Sequence, residues 1–442
     1  MPNSLNNSDL QGRSGSPVSA ATLSEQVVET GVQPPTYDAL VLDANLRQSL
    51  VAVRSLGQRG MHVAALETSP NATRGRFVPT FSSRWCEHAY VAPGYDHQTE
   101  SYLTYLHQVL AYTGARVLLT SSDGTLAVIR EHRAEIEKYT RIALAKEPAL
   151  EAAINKDVTL AIAERLGLGI PRGVTVSSTS EVKEAIREIG LPAVVKPIET
   201  WLWGEQQGVR LICELVTTPD EAYQAVEKLT QFGGSTLFQQ FLTGRREAIS
   251  LLYGQGTFYA RFAQWAKRTQ PPLGGTSVLR QSIAIPDDIG QQSERLVREI
   301  ELEGYSEVEF RRDDAGKPYL MEINPRLSAS VEIAVRSGID FPYLLYQWAA
   351  GELIKPVEGY QAGGWMRFLE GDIVTTAEAL AQRGRPGVPP PTQTILQFCS
   401  SFFTPTGYDY VDWKDLKPVW SAAKDFSYRS VRKLRKRPSG RN

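Results

Sequence analysis

The sequence predicts an α/β protein with a parallel sheet at its N-terminal end, and three observations carry that prediction. Residues 38–66 run strand, helix, strand: an apolar run Asp38–Leu42, helical spacing of Leu46, Leu50, Val53 and Leu56 closed by Gly60, then His62–Leu66. Two strands joined through a helix lie parallel. The pattern returns at Arg116–Thr120, with Ser121, Ser122 and Asp123 as capping residues for a helix over Gly124–Lys138. Third, residues 307–323 alternate as a β-hairpin about Asp313-Asp314-Ala315-Gly316, whose residues tolerate the backbone angles of a tight turn.

With 442 residues the chain is long enough for about two or three packed units. Its 42% apolar and 22% charged content is that of a soluble globular protein, and a net charge of −1 gives no general attraction to nucleic acid, so no DNA partner is expected. Cys86, Cys213 and Cys399 are isolated and odd in number, which argues against a disulfide framework and for the reducing cytoplasm. No apolar run approaches the roughly 18–20 residues of a membrane span. Residues 1–36, rich in Ser, Asn, Gly and Gln, read as a disordered leader. All five histidines, His62, His88, His97, His107 and His132, precede residue 133, so proton transfer beyond that point falls to carboxylates, Lys, Tyr, water or the substrate.

The loop Asp43-Ala44-Asn45-Leu46 lacks a GxGxxG pattern, so a nicotinamide dinucleotide site is not supported. Ser122 and Asp123 stand at a strand's carboxyl end, where open α/β sheets bind ligands; capping the following helix accounts for them equally well. A helix is expected over Glu151–Leu166, containing Lys156 and ended by Gly167-Leu168-Gly169-Ile170-Pro171. Another follows over Ser180–Ile189 with Ser180 as its cap, then a strand Leu191–Lys196. A lysine inside a helix is ordinarily a solvated face; one that ends an apolar strand before proline is less ordinary. Ser235–Leu242 reads as a strand, and Ala248–Gly254 with Thr257–Ala266 as a hairpin. Next come Lys267, Arg268, Gly274, Gly275, Thr276, Ser277 and Arg280, paired glycines between cations that suit an anion-binding loop. Helices are expected over Asp288–Glu303, Val331–Arg336 and Phe341–Gly351.

The chemistry gathers at the 307–323 hairpin. Glu322 and Asn324, two apart on a strand, share a face, and Glu309 lies across the turn. Two carboxylates and an amide carbonyl form an all-oxygen set suited to Mg²⁺, which takes one or two carboxylates plus substrate phosphates. Arg326 adds a planar cation matched to phosphate oxygens. An ordinary hairpin with a polar end would use the same residues.

The string VEFRRDDAGKPYLMEINPR, Val308 to Arg326, resembles the metal-binding hairpin of the ATP-grasp superfamily, as found in carbamoyl phosphate synthetase large subunits and carboxylate–amine ligases. The resemblance covers roughly Tyr37 to Gly351. It implies a Rossmann-like domain over 37–145 and a two-lobed α+β ATP-grasp module over 146–355, with a lid lobe at about 172–242 and a metal-binding lobe at about 243–355. By the same resemblance, Lys156 and Lys196 contact nucleotide phosphates, the strand carrying Gln239, Gln240 and Leu242 reads adenine, and Glu247 binds the ribose. Glu309, Glu322 and Asn324 would hold Mg²⁺, two ions bridged by Glu322, with Mn²⁺ as an alternative metal. Arg326, Lys267, Arg268 and Arg280 would serve the transferred phosphoryl group, and Ser122, Asp123, Gly275, Thr276 and Ser277 the substrate.

The chain departs from the family pattern in two places. The family's glycine-rich lid reads IETWLWGEQQGVRLI here, with only Gly204 and Gly208 and with bulky Trp201 and Trp203. Fewer glycines leave fewer backbone N–H groups near an anion, so the tryptophans either cover phosphate or line an acceptor site. Gln239 stands where glutamate is commoner; its amide can still accept a bond from the adenine amino group.

The implied reaction joins a small-molecule carboxylate to an amine, with ATP split to ADP and phosphate through an acyl phosphate. An ATP-grasp carboxylase or carbamoyl-phosphate-type enzyme is one alternative, and a non-catalytic ATP-binding regulator is another. From residue 356 the resemblance fades into a C-terminal extension, 356–442, with a proline-rich linker at Gly384–Thr394 and a basic tail over Lys424–Arg441. The tail reads as a solvated helix end or as a contact for RNA or an anionic membrane surface, and a homodimer is compatible with the sequence.

Overall fold

The computed structural model describes residues 36–68, 77–203, 207–272 and 274–435. The expected leader, apart from Thr36, together with Gly204 of the lid loop and the last residues of the basic tail, 436–442, lies outside the described residues. The first sheet is wholly parallel: β1 (Ala39–Val41), β2 (Val63–Thr68), β3 (His88–Ala92), β4 (Val117–Leu119) and β5 (Arg141–Ile142), in spatial order β3-β2-β1-β4-β5. Helix α1 (Arg47–Gly57) makes the first crossover, and Gly60, at φ +79°, turns the chain after it. Helix α2 (Asp123–Glu131) starts where expected, since the Ser122 side chain accepts from the Thr125 N–H. Asp43 takes a left-handed φ of 57° at the end of β1, and its carboxylate binds the Ser121 N–H at 2.9 Å, Ser122 Oγ at 2.9 Å and Thr125 Oγ1 at 2.8 Å. That uncommon backbone is held by four neighbours, Thr120 Oγ1 at 3.1 Å being the fourth, which knits together the two loops at the sheet's carboxyl edge.

The helix expected over 151–166 is two helices, α3 (Ala149–Ile154) and α4 (Lys156–Arg165). Asn155 breaks it by adopting an extended backbone and accepting from the Val158 N–H, the competition with helix that makes asparagine a cap. Lys156 therefore opens a helix and is buried, instead of lying mid-helix on a solvated face. An antiparallel four-stranded sheet follows, ordered β10-β7-β11-β6, from β6 (Gly173–Val176), β7 (Ala193–Pro197), β10 (Glu214–Val216) and β11 (Thr236–Gln240). Helices α5 (Val182–Ile189) and α6 (Pro219–Thr230) cover it with a core of their own, including Val195, Phe238 and Val226. Between β7 and β10 the lid segment forms a small hairpin, β8 (Trp201–Trp203) with β9 (Gly208–Arg210).

The largest sheet has seven strands, ordered β16-β15-β12-β13-β14-β17-β18. Its first five in sequence are β12 (Arg246–Gly254), β13 (Thr257–Gln270), β14 (Thr276–Ile283), β15 (Gly304–Arg312) and β16 (Pro318–Asn324). One face packs on α7 (Asp287–Glu299), burying Ile249, Leu251, Val308 and Phe310 against Ile289, Leu296 and Val297. The expected hairpin is β15–β16, with Gly316 at φ +83° and the Asp313 side chain accepting from the N–H groups of Ala315 and Lys317.

The C-terminal segment is woven into this body. Its strands β17 (Trp365–Arg367) and β18 (Thr406–Tyr408) extend the large sheet beyond β14. Helices α8 (Leu369–Ala381), α9 (Pro391–Ser400) and α10 (Lys417–Arg435) accompany them. The segment expected to be a linker ends inside α9, whose first residue is proline, a position that needs no N–H partner. Asp409 is buried between Arg47 of α1 and Arg280 of β14, and Asp415 pairs with Arg54 of α1 at 3.0 Å.

Removing one partner of a buried ion pair strands the other charge. Asp409→Ala leaves two buried guanidinium groups unpaired and is expected to destabilise the fold by about 3–5 kcal/mol. Urea melts compared with wild type check this; a change within experimental scatter would mean that Asp409 does not hold the segment down.

Candidate functional site

The carboxyl edge of the parallel sheet, the lid hairpin, the large sheet and the C-terminal segment enclose a cleft of about 820 Å³. On its floor Glu309 and Glu322 sit opposite each other across the β15–β16 ladder, with Asn324 opposite Glu307. Asn324 Nδ2 donates to Glu309 Oε1 at 3.2 Å. Arg246, one strand over on β12, donates through Nε to Glu309 Oε2 at 3.1 Å and through a second guanidinium nitrogen to the same oxygen. Lys156 Nζ lies 3.7 Å from Glu322 Oε2.

The two carboxylates are electrostatically unlike. Burial pushes Glu309 up to about 7, with Glu322 and Glu307 adding to the rise and Arg246 opposing it. Glu322 is also desolvated, but Lys156, Lys196 and Arg246 outweigh that and hold it below the usual carboxylate range. A buried carboxylate beside a second one is short of positive charge, and the donors around it are oxygens of two carboxylates and one amide, so the set fits a hard cation. Among the described residues no three His, Cys, Asp or Glu side chains cluster as a metal cage.

Lys156 is buried and Lys196 half-buried on the lid side of this floor. Burial pushes the Lys196 ammonium down, with the charges of Lys156 and Arg311 contributing and those of Cys213 and Glu322 opposing. Arg326, just past β16, clasps Asp123 Oδ1 at 2.6 Å, and Arg210 of the lid hairpin lies 3.6 Å from the other Asp123 oxygen. One carboxylate thus joins the N-terminal sheet, the β8–β9 hairpin and the end of β16, and those two cations hold it low against the effect of burial. Ser122 serves as helix cap and also lines the cleft.

The lid hairpin leans on the N-terminal unit. Trp201 packs against Tyr95 with ring centroids 5.4 Å apart, and the Gly208 N–H donates to Asp96 O at 2.8 Å. A Cβ on Gly208 would overlap the Trp201 ring, so glycine is needed there for packing. Trp201 lines the cleft; Trp203 packs at the edge of the main core.

The remaining expected residues divide. Gln239 is buried on β11 with its Nε2 unpartnered, Gln240 donates its N–H to Arg172 O, and Leu242 is buried. Glu247 is buried between Arg312, at 2.6 Å, and Arg245, at 3.0 Å. Gly275, Thr276 and Ser277 line the cleft, and the Gly275 carbonyl accepts from Arg246. Lys267, Arg268 and Arg280 do not reach it, which corrects the expectation for all three. Arg280 is buried in the Asp409 pair, Arg268 pairs with Asp372 at 2.9 Å, and Lys267 is exposed beside the Trp365 ring. The cause is the C-terminal segment, whose strand and helices cover that part of the sheet.

Sequence reasoning missed several cleft residues. Arg246 and Glu307 carried a usable signal, since each shares a strand face with Ala248 or Glu309. Glu307 is buried, and its Oε2 accepts from Gln264 at 2.9 Å, Ser328 at 2.9 Å and Ser330 at 3.0 Å, anchoring the loop after Arg326. Phe368, Glu370, Tyr410, Asp425 and Arg429 form the wall given by the C-terminal segment, and no local pattern marks them. Arg429 is shared by Asp425 at 2.7 Å and Glu370 at 3.1 Å.

Residues 236–363 match the family model described as ATP-grasp in the biosynthetic pathway with Ter operon. Carbamoyl phosphate synthase large chain from Deinococcus radiodurans is 29% identical over 205 residues, 45% of this chain and 19% of that protein. D-alanine–D-alanine ligase from Geobacter sulfurreducens is 27% identical over 231 residues, 48% of this chain and 68% of that protein. The solved structure of L-amino acid ligase from Bacillus licheniformis superposes with a TM-score of 0.55 at 19% identity, covering 73% of this chain and 76% of that one. The chain thus spans about a fifth of the synthase chains it matches. Its fold is the ATP-grasp fold.

Burial pushes Glu370 up to about 7, Asp425 adding to the rise and Arg429 opposing it. A carboxyl with a higher pKa folded than unfolded binds its proton more tightly in the folded chain. Its contribution to stability therefore falls as pH rises from the ordinary glutamate range to about 7. Glu370→Gln is expected to remove that slope, gaining on the order of 1–3 kcal/mol relative to wild type between about pH 4.5 and 7. Denaturant melts across that range test it; parallel curves for the two proteins would contradict the assignment.

Proposed function

We propose that the protein uses its ATP-grasp fold as an ATP-dependent ligase, joining a carboxylate to an amine through an acyl phosphate and releasing ADP and phosphate. The observation that carries this reading is the Glu309–Glu322 pair, Glu309 buried and Glu322 half-buried, with Asn324 beside it and Lys156, Lys196, Arg246 and Arg326 around it, on the floor of the cleft. ATP and Mg²⁺ would be the cofactors in this reading, with two ions expected and Mn²⁺ as an alternative metal. When bound, the metal neutralises phosphate charge. Glu309, Glu322 and Asn324 would hold it, and Arg246, which donates to Glu309, would stand beside the phosphates.

Lys156, Lys196 and Arg326 supply fixed positive charge to the phosphoryl group, which leaves fewer solvent dipoles to reorganise. Gln239, whose amide has an open donor, reads the adenine edge, and Gln240 and Leu242 flank it. The substrate carboxylate attacks the terminal phosphorus, ADP leaves, and the amine then displaces phosphate from the acyl carbon. Ser122, Asp123, Gly275, Thr276 and Ser277 face the substrate in this scheme, and Trp201 with Tyr95 excludes water from the acyl phosphate. The likeness to carbamoyl phosphate synthase supports a second reading, in which bicarbonate is the acid; it requires bicarbonate-dependent ADP release without any added amine.

Two outcomes are expected. Glu322→Gln should fold normally and lose Mg²⁺-dependent ATP turnover by a factor of about 100 or more, because a hard ligand and its countercharge are both gone. Turnover at the wild-type rate would remove the metal assignment. With carboxylate labelled in heavy oxygen, one labelled oxygen should appear in the released phosphate. Label in AMP, or phosphate oxygen taken only from water, would exclude the acyl phosphate route.

A further inference from the structure

Helix α10 has two faces with different chemistry. Its inner face, through Ala422, Asp425 and Arg429, lines the cleft. Its outer face is exposed and mixes large apolar groups with cations. Trp420 is 69% exposed, Val431 is 49% exposed, and Tyr428 and Lys424 lie beside them. Trp420, Lys424, Tyr428 and Val431 follow one another at four, four and three residues, so they form one stripe. Trp413, in the turn just before the helix, is 84% exposed. Two indoles held this far into water are an unusual cost for a surface with no partner.

Charge points to the partner. Residues 417–442 hold nine of the chain's 48 lysines and arginines and one of its 49 acids, Asp425, so the remaining chain carries a net charge of −9. The one acid is engaged by Arg429. A molecule so polarised turns its C-terminal end toward an anionic surface and its other side away. Self-association through this face would set two like-charged stretches against each other, which disfavours a second copy as the occupant. No helix among the described residues is long and apolar enough to cross a membrane, so the fitting geometry is a helix lying on a bilayer. Indole and phenol rings favour the headgroup level, and flanking lysines and arginines pair with lipid phosphates.

We propose that the outer face of α10, with Trp413 and Trp420 as anchors and the basic residues around it as counter-charges, docks the protein on an anionic lipid surface. The inner face of the same helix walls the cleft, so docking sets the cleft beside the bilayer. This inference is independent of the reaction assigned above.

The test is co-sedimentation of the full-length protein with vesicles of phosphatidylcholine alone or of phosphatidylcholine with phosphatidylglycerol. Binding is expected only to the anionic vesicles, with a blue shift in tryptophan emission and release at high salt. Lys424→Gln with Arg432→Gln should weaken partitioning by about thirtyfold, two cations at the attraction each gains near such a surface. Trp413→Ala with Trp420→Ala should weaken it and abolish the blue shift. All four positions are clear of the cleft, so both variants should keep wild-type melting and nucleotide binding. Equal binding to neutral and anionic vesicles, or none to either, would overturn the proposal. So would nuclease-sensitive RNA bound to this face without vesicle binding, or a dimer that buries Trp420.

Discussion

Two carboxylates, one buried and the other half-buried, are held opposite each other across one antiparallel ladder, and much of the molecule is arranged to make that tolerable. The β15–β16 register sets Glu309 against Glu322, and the bulge after Glu309 breaks the even alternation of the strand at that point. Like charges this close in a poorly polarisable site cost several kcal/mol unless cations lie nearby. Each neighbouring unit supplies one: Lys156 from the start of α4, Lys196 from β7 of the lid lobe, and Arg246 from β12. The lysines settle on Glu322 and the arginine on Glu309, which leaves the pair unequal and Glu309 the more weakly compensated.

A second constraint is the closure of the cleft. Asp123 ties Arg326 to Arg210, so the sheet edge, the floor and the lid share one charge network. Asp43 stiffens the edge beneath by holding Thr120, Ser121, Ser122 and Thr125, at the expense of a left-handed backbone. Glu307 does the corresponding work under the floor, collecting Gln264, Ser328 and Ser330. The polar side chains facing the cleft are in this way oriented from behind before any substrate arrives, which is what electrostatic catalysis requires.

The C-terminal segment completes the cleft. It adds two strands to the large sheet, and it fastens itself to α1 and β14 through Asp409 and Asp415. Phe368, Glu370, Tyr410 and Arg429 wall part of the room inside the cleft. The size and polarity of that room are therefore set by residues far in sequence from the ATP-grasp hairpin.

What the sequence determined by itself was local. The βαβ start, the Ser122 cap, the Asp313–Gly316 turn and the facing of Glu309 and Glu322 all follow from spacing and residue type within about twenty residues, because strand and helix periodicity are short-range properties. Even there a local competition was misjudged, since Asn155 preferred to cap α4 over continuing a helix. Tertiary structure alone decided which face of a strand met the cleft and which met protein. Arg280 and Arg268 sit beside a glycine-rich loop whose neighbours line the cleft, yet both were claimed by acids that arrive more than 90 residues later, Asp409 for Arg280 and Asp372 for Arg268. A buried cation takes whichever carboxylate the folded chain brings to it, and nothing in its own neighbourhood states which one that will be.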